Sequence, residues 1–216
     1  MESLSRHDVR RLDAYAIEAL GVPSIVLMEN AGRNAADVIE QFLNGAAGRG
    51  VAVVAGTSNN GGDGFVIARH LSMRGAKVVT FVVASEDKIT PDARTNLTII
   101  RNLGLDVRPS AGRLAARDLG EFDLVIDAIG GTGIQGPLRG DLAQAVEQVN
   151  LAGRPVVAID VPTGLDCDTG SPAGLAIKAV MTITMAANKL GFASPQAAQY
   201  TGQVRVVDIG VPTTFK

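Results

Sequence analysis

The stretch Val51-Ala52-Val53-Val54-Ala55, followed by Asn59-Asn60-Gly61-Gly62-Asp63-Gly64 and then by the amphipathic run Phe65 to Met73, sets the reading of the whole chain. A short β-branched run without polar alternation marks a strand buried on both faces. A glycine-rich loop leading from such a strand into a helix presents free backbone N–H groups at a positive helix end, where phosphate or another electron-rich group can settle without a dedicated cation. A plain strand-to-helix connection, with Asp63 capping the helix start, would use the same glycines. The paired asparagines are not needed for a turn, however, and they supply amide donors and carbonyl oxygens to a ligand. Two familiar phosphate loops are excluded. No lysine occurs before Lys77, so this is not a P-loop, and Gly56-Thr57-Ser58-Asn59-Asn60-Gly61 lacks the G-x-G-x-x-G spacing of a dinucleotide fingerprint.

The same alternation repeats outward from this stretch. Further apolar runs lie at Val78 to Ala84, Leu124 to Ile129, Val156 to Val161, Val180 to Met185 and Val204 to Ile209. Thr90-Pro91 opens a helix that Gly104 closes, and Asp141 to Ala152 forms another that ends at Gly153. Near the start, Ser5 and Asp8 resemble a capping box, and Val9, Leu12, Ala16, Ile17 and Leu20 follow at helical spacing until Gly21. Ser24 to Leu43 is again helical. Its small-residue centre, Asn30 to Ala36, suits close packing on a sheet or on a second subunit. Buried strands alternating with helices predict a three-layer αβα sandwich, Rossmann-like, with a mostly parallel central sheet. In such a sheet ligands bind beyond the carboxyl ends of the strands, so the residues after each apolar run carry the functional reading.

Composition narrows the partners. With 216 residues and 46% hydrophobic side chains, the chain is expected to form one domain over residues 1–216. A formal net charge of −2 from 20 basic and 22 acidic residues, with no basic block, argues against nucleic acid or an anionic membrane and for a small-molecule partner. The single cysteine, Cys167, cannot form an internal disulfide, and residues 1–9 carry charge where a secretion signal would be apolar, so the expected setting is cytoplasmic.

Several strand ends are polar. Asp127 and Asp160 each terminate an apolar run, where an ionised carboxylate needs a partner: a metal cation, the N–H groups of the following loop, or Lys189. If both approach one cavity, repulsion and desolvation raise the proton affinity of one and prepare it for acid–base work. Gly131-Thr132-Gly133-Ile134-Gln135-Gly136-Pro137 is a second flexible loop, readable as a ligand-binding segment or as a connection to the helix near Asp141. Thr163, Asn60 and Asp127 offer an all-oxygen donor set that suits alkali or alkaline-earth ions and not zinc. His7 and His70 lie on predicted helices and read as structural or solvated. Cys167 reads as a packing residue.

Taken together, Met28-Glu29-Asn30-Ala31-Gly32-Arg33, the Asn59 to Gly64 segment with Ala68-Arg69-His70-Leu71, Asp127-Ala128-Ile129 with Gly131-Thr132-Gly133, and Asp160-Val161-Pro162-Thr163-Gly164-Leu165-Asp166 closely resemble the NAD(P)H-hydrate epimerase family, also described as the YjeF N-terminal domain. The resemblance runs from the first helix to Lys189-Leu190-Gly191. It implies a Rossmann-like sandwich, usually dimeric, that interconverts the R and S epimers of hydrated NADH and NADPH, damaged cofactors with a hydroxyl at C6 of the nicotinamide ring. It further implies substrate contacts from Asn59, Asn60, Gly61, Gly62 and Asp63, from Gly131 to Pro137 and from Asp160, and one potassium ion held by Asn60, Asp127 and Thr163. Asp160 is the candidate catalytic residue, donating the proton that releases the hydroxyl and stabilising the cation that results. Lys189 is a further candidate, pairing with a phosphate or neutralising an aspartate. The family's dehydratase partner domain is not expected in this chain, which implies metabolic coupling to a separate dehydratase. Two departures stand out. Thr57-Ser58 replaces a pair that often ends in glycine, and Gly130 replaces a frequently bulky residue, which is expected to loosen the pocket. The rival readings are a non-catalytic nucleotide- or protein-binding module on the same fold, and a nicotinamide-dependent oxidoreductase, against which the missing fingerprint argues.

Overall fold

The computed structural model describes residues 3–213. In chain order its elements are β1 (Ser3–Leu4), α1 (Arg6–Ala14) continued by a π-helical stretch (Tyr15–Ala19), α2 (Ser24–Phe42), β2 (Gly50–Ala55), α3 (Asn59–Met73), β3 (Lys77–Val82), α4 (Pro91–Asn102), β4 (Asp106–Pro109), α5 (Ala116–Leu119), β5 (Leu124–Ala128), α6 (Gly140–Leu151), β6 (Val156–Ile159), β7 (Met181–Met185), β8 (Asn188–Lys189), α7 (Ala198–Thr201) and β9 (Gln203–Val207). Seven strands form one sheet in the order β4-β3-β2-β5-β6-β7-β9, and every pairing in it is parallel. From β2 the chain first builds outward to β3 and β4, then returns to the other side of β2 with β5. The carboxyl ends of β2 and β5 are therefore the point where the winding reverses, the place such sheets reserve for ligands.

The apolar runs are continuous because both faces of the sheet are covered. Val51, Val53 and Ala55 of β2 pack with Ile39 of α2, Phe65 and Leu71 of α3 and Leu97 of α4. Ala52 and Val54, on the opposite face, pack with Leu119 of α5 and Val146 and Val149 of α6. A smaller apolar cluster joins Leu4, Leu12 and Ala16 to Leu27 and Ala31 of α2 and to Ala187 and Ile209. It fixes α1 across the carboxyl end of the sheet. The Ser5 and Asp8 pairing starts α1 as a capping box. Among the described residues no helix is long and apolar enough to cross a membrane.

Four details differ from the sequence reading. The segment from Asn59 to Gly64 is not a loop: α3 begins at Asn59 with Ser58 as its N-cap, so Asp63 lies inside the helix and caps nothing. The small-residue centre of α2 faces α3 as well as the sheet. A Cβ on Gly32 would lie 2.5 Å from Val66, so the absent side chain is what lets the two helices approach. The strand β4 was not expected, because it is an exposed edge whose Asp-Val-Arg-Pro sequence carries charge and proline where central strands carry β-branched residues. The run from Val156 stops at Ile159 because Asp160 has φ +67°, which no strand accommodates.

The contact between α3 and β5 has no slack. A Cβ on Gly64 would lie 2.6 Å from the Ala128 Cβ and 3.2 Å from Val53 Cγ1. Gly64→Ala gains about 1 kcal/mol of helix propensity, but overpacking costs about 1–3 kcal/mol and also strains the sheet. The expected result is a lower urea midpoint, partly restored by Gly64→Ala with Ala128→Gly; a midpoint unchanged by the single substitution would contradict this packing.

Candidate active site

A cavity of about 840 Å³ opens at the carboxyl end of the sheet. One wall is the start of α3, with Asn59, Asn60 and Asp63; another is the loop after β5, with Gly130 to Ile134; Asp160 and Lys189 stand after β6 and β7. Asp13 of α1 faces the same space, whose far end is apolar and includes Leu12, Leu27, Met28 and Ile209. The first N–H groups of α3 have no intrahelical acceptor, so a positive helix end adjoins the cavity.

Asp160 is the most constrained residue of the site. Its left-handed backbone is held by its N–H donating to Ile183 O at 2.7 Å and by Val161 N–H donating back to Ile159 O at 2.9 Å. One carboxylate oxygen lies 3.0 Å from Lys189 Nζ, and the other accepts from Thr132 N–H at 3.0 Å. A Cβ on Gly131 would stand 2.4 Å from that second oxygen, so only glycine admits the loop this close. Lys189 is not a surface lysine: it is 1% exposed, and its ammonium also donates to Thr184 Oγ1 at 2.7 Å and Met185 O at 3.1 Å. Burial pushes the Asp160 carboxyl up, but Lys189 and the Thr132 N–H more than offset this and hold it below the usual carboxylate range. Of the two strand-end carboxyls it is therefore Asp127, described next, and not Asp160 whose proton affinity is raised, because the ammonium and the Thr132 N–H outweigh desolvation at Asp160.

Asp127 and Thr163 lie behind the cavity wall, both fully buried. Asp127 accepts from Thr163 N–H at 2.9 Å, from Thr163 Oγ1 at 2.7 Å and from Ile129 N–H at 3.2 Å. Thr163 Oγ1 also accepts from Gly130 N–H at 3.0 Å and stands 2.9 Å from Gly130 O, and its one proton cannot serve both Gly130 O and Asp127. Burial pushes the Asp127 carboxyl up to about 6 despite these donors. Asn60 is 7% exposed, and neither its amide oxygen nor its nitrogen has a hydrogen-bond partner among the described residues.

Of the remaining sequence-based candidates, Gly61 and Gly62 are packed inside α3, where a Cβ would meet Gly56 O at 2.2 Å and Met28 Sδ at 2.5 Å; they shape the helix start without lining the cavity. Gln135, Gly136 and Pro137 stand away from it, and Gly136 lines a separate small cleft beside Asp166. Gly130 does not loosen the pocket, because Ile134 turns back over it and fills the space that a larger residue would take. Cys167 is buried, which pushes its thiol up to about 11 and leaves it a packing residue.

Two contributors escaped the sequence reading. Asp13 sits between Val9 and Ile17 at i+4 spacing, and that carboxylate inside an apolar stripe was the available signal. Arg6 is buried, and its guanidinium donates to Thr132 O at 2.8 Å, Ile134 O at 2.6 Å and Asp166 Oδ2 at 2.6 Å. It thereby fastens the loop that also binds Asp160. Nothing in local spacing marks it, since its partners, Asp168 among them, lie 126 to 162 residues away.

A doubly wound α/β domain with a charged cavity at its switch point is the class that fold and site define. The chain belongs to the family described as YjeF-related protein N-terminus, whose model matches residues 24–191. It is 40% identical over 204 residues to the NAD(P)H-hydrate epimerase of Rhodopirellula baltica, covering 94% of this chain and 82% of that protein. It is 42% identical over 210 residues to the bifunctional NAD(P)H-hydrate repair enzyme Nnr of Moorella thermoacetica, covering 95% of this chain but 40% of that longer protein. The crystal structure of yeast ynu0, YNL200c, superposes with a TM-score of 0.81 over 95% of this chain and 87% of that one at 24% identity, a likeness of fold.

Lys189→Met leaves the Asp160 carboxylate buried without a counter-ion, a loss of about 3–5 kcal/mol. In the wild type the carboxyl is held low, so its contribution to stability is present above the unfolded value of ~3.9 and disappears as pH falls through the folded value. In the variant unopposed burial raises its proton affinity, and protonation relieves the defect. Urea titrations are expected to show the deficit largest at pH 7.5 and smaller at pH 5; an equal deficit at both would exclude this account.

Proposed function

We propose that this chain is an NAD(P)H-hydrate epimerase, an isomerase that interconverts the R and S epimers of hydrated NADH and NADPH. The observation that carries the reading is the strained Asp160, kept ionised by Lys189 on the wall of a cavity at the sheet's switch point. Epimerisation at C6 requires the hydroxyl to leave while the ring nitrogen's lone pair forms a planar iminium, which water then attacks from either face. A fixed carboxylate beside that ring lowers the energy of the cation without itself reorganising. The free N–H groups of α3 suit electron-rich groups of the dinucleotide, and the apolar end under α1 excludes water. The similarity to proteins named NAD(P)H-hydrate epimerase supplies the substrate.

The donor set around Asp127 fits a potassium ion. It is buried and rich in oxygen, its carboxylate has no cationic side-chain partner among the described residues, and the amide of Asn60 is unpartnered. Asn60, Asp127 and Thr163 would hold the ion, which when bound supplies positive charge against Asp127 and steadies the loops that carry Asn60 and Thr163. The same reading carries a homodimer, a cytoplasmic setting and metabolic coupling to a separate dehydratase. The bifunctional relatives, which are more than twice the length matched here, support a link between the two repair steps.

Two measurements test this. Purified protein mixed with the R epimer of hydrated NADH and followed by chromatography is expected to produce the S epimer faster than the protein-free control, with Asp160→Asn slower by about 100-fold or more; a folded protein without acceleration refutes the reading. Replacing choline by K⁺ at ten times its dissociation constant adds about 1.4 kcal/mol, an increase of about 3–6 °C in the unfolding temperature. An unchanged temperature removes the ion from the proposal.

A further inference from the structure

The cavity is lined by four carboxyl groups, Asp13 from α1, Asp63 from α3, Asp141 from α6 and Asp160 after β6; Asp141 and the cations Lys88 and Arg139 are exposed side chains, and the one buried ammonium is that of Lys189. The three protons of Lys189 Nζ are committed to Asp160 Oδ1, Thr184 Oγ1 and backbone oxygen at Met185. None is left for another carboxyl. Asp63 is half-buried on the cavity wall, and among the described residues no hydrogen bond or ion pair reaches its side chain. The charged groups that bear on it are Asp160 and Asp13, both of its own sign.

Asp63 shares its helix face with Asn60, three residues earlier. Asn60 lines the same cavity, is more than nine-tenths buried, and has neither amide atom partnered. The amide oxygen of Asn60 is assigned to the ion above; its amide nitrogen and the Asp63 carboxyl remain unsatisfied on this face of α3 and point to a ligand with polar groups of its own. Asp63 differs from Asp160 in its surroundings. Ionising Asp63 would place another negative charge in a partly desolvated cavity with no counter-ion, whereas Asp160 already has one. Accordingly, burial and the repulsion of Asp160 and Asp13 push the Asp63 carboxyl well above the usual carboxylate range. Asp13, at the cavity mouth, is also raised, by desolvation and by Asp160, with Lys189 opposing. Two carboxyls whose environments drive their proton affinities apart divide acid from anion.

We propose that Asp63 is the catalytic acid of the site, delivering its proton to the departing C6 hydroxyl while Asp160 remains an anion beside the developing cation. The assignment rests on the epimerase reading above. In the step, the C6–O bond breaks with its electron pair going to oxygen, which takes the Asp63 proton and leaves as water. The ring nitrogen's lone pair becomes the second bond to C6. When water adds to the other face, a new C6–O bond forms, the π pair returns to nitrogen, and the proton shed by that water returns the Asp63 carboxyl to its neutral form. Nothing is oxidised or reduced.

The test is a pH profile of epimerisation of the R epimer of hydrated NADPH, with potassium present and the protein-free rate subtracted at each pH. The wild type is expected to show a kcat that falls about tenfold per pH unit on the alkaline side, as the acid form is lost. Asp63→Asn is expected to lose about 100-fold or more in kcat with KM within a few-fold, and to lose the alkaline limb. Its unfolding temperature should equal or exceed the wild type's, since a neutral isostere replaces an unpaired acid. Asp13→Asn removes a negative neighbour, so the limb should move to lower pH. An active wild type whose Asp63→Asn variant keeps its rate or its limb overturns the assignment and leaves the epimerase reading standing. So does an Asp13→Asn profile that does not move, which decides the matter if the first variant fails to fold. A wild type that accelerates nothing at any pH overturns both.

Discussion

The ion pair between Lys189 and Asp160 is the constraint on which the carboxyl end of the sheet depends. Asp160 adopts a backbone conformation that ordinary side chains avoid and holds a charge in a largely desolvated position. The backbone is held by the hydrogen bonds of Asp160 N–H and Val161 N–H, and the charge is tolerable because a buried ammonium stands 3.0 Å away. That ammonium is itself placed by structure beyond the sheet. β8 pairs in parallel with β1, so that Leu4 is the ladder partner of Lys189. The start of the chain, the end of β7 and the turn after β6 are thus tied into one unit. Thr132 N–H, bound to the other oxygen of Asp160, draws the loop after β5 into the same unit.

Around this pair the site sorts its carboxyl groups by environment. Asp160 has a cation and stays ionised; Asp127 has only hydrogen-bond donors and burial pushes it up to about 6; Asp63 is pushed well above the usual carboxylate range by burial and by like-charged neighbours. Three aspartates of identical intrinsic chemistry therefore differ in proton affinity, set by burial, counter-charge and donor count. This distribution distinguishes a reactive cavity from a merely polar one.

Much of the fold was legible because the central strands are buried on both faces, and Val, Ile and Ala run through them without a break. The edge strand β4 was not, since an edge needs only one buried side chain, Val107 being at best partly covered, and its charges write a loop-like sequence. The positions of Asp127, Asp160, Asn60 and Thr163 at strand ends were legible from the same logic. What could not be read was the partner of each. Lys189 could equally have been a surface residue by spacing, and the proton preference of Asp160 reversed once its true neighbour was in place. Asp63 shows the same limit: six residues rich in glycine suggest a loop, yet they are the first turns of a helix whose missing side chains make room for Gly56 O, for Met28 of α2 and for Ala128 of the sheet.

The Arg6 clamp has a consequence for how the molecule comes together. Helix-to-strand packing across the sheet joins segments close in sequence, whereas the guanidinium of Arg6 meets Asp166 across a separation of 160 residues. Closing so long a loop carries an entropic cost that local contacts do not. The sheet can therefore assemble from its neighbouring βα units before the first helix is docked, and the cavity is completed only when the chain's opening residues return to its last third. By the same token an opening that undocks α1 would take Arg6 and Asp13 away from the cavity while leaving the sheet paired, and a cell in which that happened would lose the chemistry before the fold.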